Sequence, residues 1–131
     1  RSPRFTFSPV SGLMQGFIDL VFEHGGRWYV ADWKTNWLGP TAEHYGGERL
    51  AHAMRHHAYD LQYWVYTVAL HRHLQQKLGD AYDYDRHVGG VYYFFLRGML
   101  PGNGLRTGVF LDRPARAQVE ALDRLLRGDA P

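Results

Sequence analysis

Cysteine is absent from all 131 residues. That excludes disulfides and thiolate metal sites, and it is the usage expected of a cytoplasmic protein. No run of 18 apolar residues occurs, so no membrane-spanning helix is expected. The opening Arg1-Ser2-Pro3-Arg4 is not followed by a signal-type apolar segment. Neither sign of charge dominates. Lys and Arg number 15 and Asp and Glu 13, and the formal net charge of +2 is too small to indicate a nucleic-acid partner by itself. Repeats and low-complexity tracts are missing, and no G-x-x-x-x-G-K-[ST] loop is present to cradle a nucleotide triphosphate. Apolar and aromatic residues are plentiful, at 45% and 15%. They suffice for a buried core, which argues against disorder, and the length allows one domain at most.

The stretch that organises the chain runs from Gly16 to Lys34. Two runs rich in β-branched and aromatic residues flank Gly25-Gly26, a pair that tolerates the positive φ of a tight turn, so the stretch reads as a β-hairpin. Strand side chains alternate. Trp28, Val30, Asp32 and Lys34 therefore share one face, and Tyr29, Ala31 and Trp33 take the other, where the Trp33 side chain is expected to be core. A two-residue turn pairs His24 with Arg27, and counting back sets Asp19 opposite Asp32. Facing carboxylates repel at the ~5 Å of a cross-strand pair, and both faces of the hairpin look apolar, so water is a poor remedy. A divalent cation between Asp19 and Asp32 would resolve the conflict, with Lys34 flanking it on the same face.

The remaining segments read in order. Residues 4–10 suggest a short edge strand or an extended lead-in, stopped by Pro9. Residues 35–47 form a long loop that leaves from the Lys34 end, anchored by Trp37 and Leu38. Residues 48–57 suggest a short helix with Leu50, Ala51, Ala53 and Met54 inward, and residues 59–78 a longer one ending at Gly79. On the long helix Leu61, Trp64, Val65 and Val68 make one apolar stripe, and Leu70, Leu74 and Leu78 another. Gln62 and Tyr66 stack on a face between them, which His73 continues. Residues 81–87 read as irregular, 89–96 as a buried interior strand and 107–111 as a further strand. Pro114 suits the first turn of a final helix that carries Ala117, Ala121, Leu122, Leu125 and Leu126 and ends at Gly128.

Asp19 followed by Asp32-Trp33-Lys34 resembles the metal-binding pattern of the PD-(D/E)xK nucleases. D-x-K alone is common. Gly-Phe-Ile-Asp-Leu before a glycine turn, then Ala-Asp-Trp-Lys running on into Thr35-Asn36-Trp37-Leu38-Gly39, is much more specific. It is similar to the C-terminal nuclease domain of the RecB-like family, the beta subunits of exodeoxyribonuclease V. Gln62-xxx-Tyr66 matches a further motif of that family, in register after the Asp-x-Lys strand. The resemblance implies an α/β fold with a mixed central sheet flanked by helices, a restriction-endonuclease-like core. It implies a DNA-cleaving site in which Asp19, Asp32 and the backbone carbonyl of Trp33 bind Mg²⁺, or Mn²⁺. Lys34 would hold or deprotonate the attacking water, or offset charge at phosphorus, and Gln62 and Tyr66 would lie toward the DNA. The family's upstream acidic strand and a further upstream histidine that also binds metal have no match here. The chain is accordingly expected to be a single, partial nuclease domain, N-terminally truncated and poorly active alone, of a longer ATP-dependent helicase–nuclease that acts in double-strand-break repair with RecC-like and RecD-like chains. The family's nuclease domain also docks the RecA recombinase, so a non-catalytic docking module is one alternative reading, and a stand-alone nuclease of the superfamily is another.

The eight histidines raise a different possibility. His52 and His56, four apart, could bind zinc from one helix face. No Glu completes an H-E-x-x-H, and His57, His71, His73 and His87 follow no ligand spacing, so a surface helix with titrating histidines is the reading adopted. Arg49, Arg55, Arg72, Arg86, Arg97 and Arg106 are scattered, and Arg97, at the end of the buried strand, is the best candidate for a phosphate contact.

Overall fold

The computed structural model describes residues 5–6, 17–18, 20–57, 59–99 and 107–128. Strands β1 (Phe5–Thr6) and β2 (Phe17–Ile18) form a small antiparallel ladder. The hairpin follows as β3 (Leu20–His24) and β4 (Arg27–Lys34). Its turn residues Gly25 and Gly26 have φ of +61° and +80°, the left-handed pair that lets two strands close with their natural twist. The register counted in the sequence holds from His24↔Arg27 through Leu20↔Ala31.

After β4 the chain crosses over through α1 (Gly47–His56) and α2 (Tyr59–Leu78), then a short helix α3 (Tyr84–His87), and returns as β5 (Val88–Phe95) parallel to β4. A parallel pair requires such a long connection. Strand β6 (Val109–Asp112) then pairs antiparallel with β5, and helix α4 (Arg116–Leu126) closes the chain. The sheet order is β3-β4-β5-β6, a mixed four-stranded sheet with its two longest strands central. The α/β fold implied by the resemblance is the fold observed. Among the described residues no helix is long and apolar enough to cross a membrane.

The core lies between one face of the sheet and the helices. Val30, Val91, Tyr93 and Phe95 meet Leu50 and Met54 of α1, Val68, Leu70 and Leu74 of α2, and Val119 of α4. Helix α2 buries Tyr63, Val65, Tyr66, Thr67, Val68, Leu70, His71 and Leu74. Of the expected stripes Val65, Val68, Leu70 and Leu74 are buried, but Leu61 is 59% exposed, and Tyr63, Tyr66, Thr67 and His71 share the inward side. The reason is position. The sheet turns toward the side of α2 on which Tyr63 reaches Asp112, where its hydroxyl donates to Oδ2 at 2.6 Å.

Several other expectations need revision. Residues 84–87 are helical rather than irregular, because the Asp83 side chain accepts from the Asp85 N–H and caps the turn. Pro114 precedes the cap of α4 instead of starting the helix, and its carbonyl accepts from the Tyr84 hydroxyl. On α4 the buried residues are Val119 and Asp123, whereas Ala117 and Ala121 face solvent and Leu125 is 61% exposed. Asp123 is held inward by Arg72 of α2, Nε to Oδ1 at 2.5 Å, and by Arg127 at 3.2 Å. The 35–47 loop is anchored by Tyr45, which is buried and accepts from the Leu38 N–H at 3.1 Å; Trp37 is 65% exposed.

Candidate active site

Asp32 and Lys34 lie two residues apart on β4, so both side chains enter the helix-covered side of the sheet. Asp32 is 4% exposed. Lys34 Nζ lies 2.7 Å from Asp32 Oδ2. The ammonium also sits over the Tyr59 ring, 4.2 Å from its centroid, and 5.4 Å from the centroid of Tyr93. A cation is attracted to the negative face of each ring, by about 0.5–2 kcal/mol depending on desolvation. Lys34 is thus held by a carboxylate on one side and by two rings.

Tyr93 reaches this site because β5 runs parallel to β4 with Asp32 and Tyr93 in register. Its hydroxyl donates to Gln62 Oε1 at 2.6 Å. Burial raises the Tyr93 phenol far above the usual tyrosine range, and the charges of Asp32 and Tyr66 push the same way. It therefore remains a neutral donor. Tyr66, one turn along α2 from Gln62, is 3% exposed. The structure thus brings Asp32, Lys34 and Gln62 together around Tyr93, with Tyr66 buried behind them.

Two side chains at the site escaped the sequence reading. Tyr93 sits in the run Val91-Tyr92-Tyr93-Phe94-Phe95, which looks uniformly apolar, and only the parallel register sets it beside Asp32. Tyr59 was legible in principle. It stands three residues before Gln62 on the same helix face, a spacing that marks neighbours. Its hydroxyl donates to Asn36 Oδ1 at 3.2 Å, and Asn36 Nδ2 lies 3.4 Å from His57 Nε2. This polar chain ties the loop after Lys34 to the junction of α1 and α2.

Asp19 lies outside the described residues. Trp33 carries its side chain to the opposite face, as alternation requires, yet the ring is 38% exposed rather than core. It packs on Phe94 with centroids 5.2 Å apart. His73 is exposed; the buried histidine of α2 is His71, whose Nδ1 lies 2.6 Å from the Tyr82 hydroxyl. Arg97 donates Nε to the Thr35 carbonyl at 2.7 Å, fastening the chain just past Lys34 to the end of β5. His52 and His56 are exposed on α1 with near-parallel rings 5.9 Å apart.

Among the described residues no group of three or more His, Cys, Asp or Glu converges to hold a metal ion. Beside Lys34 they supply one buried carboxylate, Asp32. That donor chemistry fits a Mg²⁺-type ion, which keeps several of its waters and takes only one or two protein carboxylates.

The family model of the PD-(D/E)XK nuclease superfamily matches residues 4–130. The RecBCD enzyme subunit RecB of Escherichia coli (strain K12) is 44% identical over 126 residues, covering 96% of this chain and 10% of that protein. The same subunit of Haemophilus influenzae is 47% identical over 123 residues, covering 93% and 10%. That of Mycobacterium tuberculosis (strain H37Rv) is 46% identical over 124 residues, covering 90% and 11%. The chain spans about a tenth of the length of these relatives.

Proposed function

The chain belongs to the PD-(D/E)XK nuclease superfamily, and from that premise we propose that it cleaves DNA phosphodiester bonds as part of a longer RecB-like helicase–nuclease subunit. The observation that carries this reading is the pairing of Asp32 with Lys34 at 2.7 Å on the helix-covered face of β4, with Gln62 and Tyr93 beside them. A buried ion pair is costly to build for stability alone, since hydrophobic replacements are often neutral or better. Its retention within a wall of tyrosines supports a chemical role.

Asp32 would hold the cation together with Asp19 and the Trp33 carbonyl. When bound, Mg²⁺ or Mn²⁺ supplies charge stabilisation at phosphorus and a more acidic water. Lys34 donates from Nζ toward the attacking water or a phosphate oxygen, and the Tyr59 and Tyr93 rings keep that ammonium aimed at Asp32. Gln62 is oriented by the Tyr93 hydroxyl and is left with its amide N–H donors for the substrate. The loop after Lys34, tethered through Asn36 and Arg97, borders the site. Assembly with RecC-like and RecD-like chains, docking of RecA, ATP dependence, a role in double-strand-break repair and a cytoplasmic location all extend the reading to the whole protein.

The test is cleavage of linear single-stranded DNA with and without Mg²⁺ by a protein that carries the whole nuclease domain, comparing the parental sequence with Lys34→Ala. The reading requires metal-dependent cutting that Lys34→Ala abolishes while DNA and metal binding persist. A Lys34→Ala protein that cuts at the parental rate would remove the assignment.

A further inference from the structure

A cleft of about 440 Å³ opens between α1 and the loop that follows Lys34. It contains neither Asp32 nor Lys34. Its walls include His44, Arg49, His52, Arg55, His56 and His57, with Glu48 the one carboxylate. Arg49, His52 and His56 stand three and seven residues apart, hence on one helix face.

The described arginines differ in whether a carboxylate pairs with them. Arg72, Arg113, Arg116 and Arg127 are each tied to a carboxylate. Arg49 and Arg55 are exposed and pair with no carboxylate among the described residues. The first four are neutralised by these pairs; Arg49 and Arg55 line the cleft, where Glu48 is the one carboxylate.

The cleft connects to the reacting residues. The His52 and His56 rings are 5.9 Å apart, His56 and His57 5.1 Å, His57 and Tyr59 5.3 Å, and Lys34 Nζ stands 4.2 Å above Tyr59. Flat rings next to unpaired guanidinium groups are what one polynucleotide strand needs: bases stack on the rings and phosphates meet the cations.

We infer that this cleft is the path by which a single polynucleotide strand reaches Lys34, with Arg49 and Arg55 binding its phosphates and the histidine row bearing its bases. The inference rests on the nuclease reading for its substrate. A cleft lined by exposed rings takes an unpaired strand better than a duplex, whose bases are already stacked on one another. An acidic peptide would use the same cations but has no need of the rings.

The experiment titrates the full chain, in chelator to prevent cutting, with a labelled thymidine oligonucleotide between about 50 and about 200 mM salt. Arg49→Ala/Arg55→Ala is expected to bind at least about tenfold more weakly and to lose about 1.4 from the slope of log affinity against log salt, ~0.7 for each phosphate contact on a single strand. Arg86→Ala/Arg124→Ala, which removes two exposed arginines elsewhere, should leave both unchanged, and Arg49→Lys/Arg55→Lys should recover most of the affinity. Two arginine pairs that behave alike would overturn the assignment, as would a duplex of equal length that binds as tightly, or polyglutamate that competes as well as DNA. Cleavage is read in parallel with Mg²⁺, in a protein that carries the whole nuclease domain. If the parental protein cuts and Arg49→Ala/Arg55→Ala leaves affinity and KM untouched, the cleft assignment fails and the nuclease reading stands. If the parental protein binds through these arginines yet never cuts, the cleft stands and the nuclease reading fails.

Discussion

Strands β4 and β5 carry two unlike faces. On one, Val30, Asp32 and Lys34 alternate through β4 and Val91, Tyr93 and Phe95 through β5, all roofed by α1 and α2. On the other, Tyr29, Trp33, Tyr92 and Phe94 stack among themselves and with Phe22, their centroids 5.2–6.2 Å apart. The described helices leave this second face partly open to solvent. Gly89 belongs to it too: a Cβ there would strike the Tyr29 ring at 2.2 Å, so the missing side chain is what seats that ring. The difference shows what each face needs. Aromatic pairs stabilise one another by about 0.5–1.5 kcal/mol each with no roof over them. A buried carboxylate and ammonium need partners supplied from elsewhere, and here α2 supplies them through Tyr59, which cradles Lys34, and Gln62, which orients Tyr93.

If that division of labour holds, adjacent residues on β4 should differ most in activity. Lys34→Ala is expected to lower cleavage by about 10³-fold or more, the range for removing a positioned proton donor or charge stabiliser. Trp33→Ala, one residue away on the open face, should stay within about tenfold. Asp32→Ala should also remove divalent binding in a calorimeter, which Lys34→Ala retains. Comparable losses at Trp33 and Lys34 would break the distinction between faces.

Stability should separate the faces on β5. Phe95 is fully buried, and Phe95→Ala is expected to cost about 3–5 kcal/mol, read from the urea midpoint. Phe94→Ala, on the half-exposed face, should cost about half that. Within the site the expected effects are smaller. Tyr93→Phe removes a donor and its bond to Gln62, about 1 kcal/mol, whereas Gln62→Ala leaves the buried hydroxyl only the Tyr59 carbonyl at 3.5 Å and should cost about 1–3 kcal/mol. Both, like Tyr66→Phe, should lower turnover far less than Lys34→Ala. A Gln62→Ala protein as stable as Tyr93→Phe would deny the bond its role.

The strands were legible because a period of two and a glycine turn leave little freedom; β4, β5 and α2 fall within a residue of their expected limits. The facing of Asp32 and Lys34 followed from the same alternation. The inward side of α1 was legible too, with Leu50, Ala53 and Met54 buried; what could not be read was the full inward row of α2. Leu61 and Tyr63 are both plausible inward residues, and only the β6 carboxylate of Asp112 decides for Tyr63. The same ambiguity directed attention to His73 when His71 is the buried one. Parallel register hid Tyr93, since nothing local to either strand states how they align. Trp33 was expected in a core because apolar residues usually find one; here its partner is another ring at a partly open surface.

The smallest expected effect is one of pH, and it too divides the molecule. The helix-covered side contains His71, 4% exposed, facing the Tyr82 and Tyr84 rings and the charged groups Asp123, Glu120, Arg72 and Arg127. Burial lowers its pKa; Asp123 and Glu120 pull upward but do not overcome that. In the unfolded chain a histidine titrates near 6.5. Between that value and the lower folded one the unfolded state binds more protons, so stability rises with pH across the window. The contribution of a neutral His71 is therefore complete above about pH 6.5 and declines as the pH falls below it. Asp123 acts in a separate window. Burial raises its carboxyl, the hydrogen bonds from Arg72 and Arg127 lower it further than burial raises it, and its net position is below the ordinary value. Its stabilisation is present above about pH 3.9 and is lost only as the pH falls through the lower folded value. Urea midpoints at about pH 7.5 and about pH 5.5 thus read His71 with little interference from Asp123. The parental protein should be less stable at the lower pH, and His71→Gln should flatten that difference. Tyr92→Phe, on the open face, should shift both midpoints alike and leave their difference intact. A His71→Gln protein with the parental pH slope would mean that the titration belongs to another group, and the helix-covered side would lose its claim to hold the pH-sensitive part of the fold.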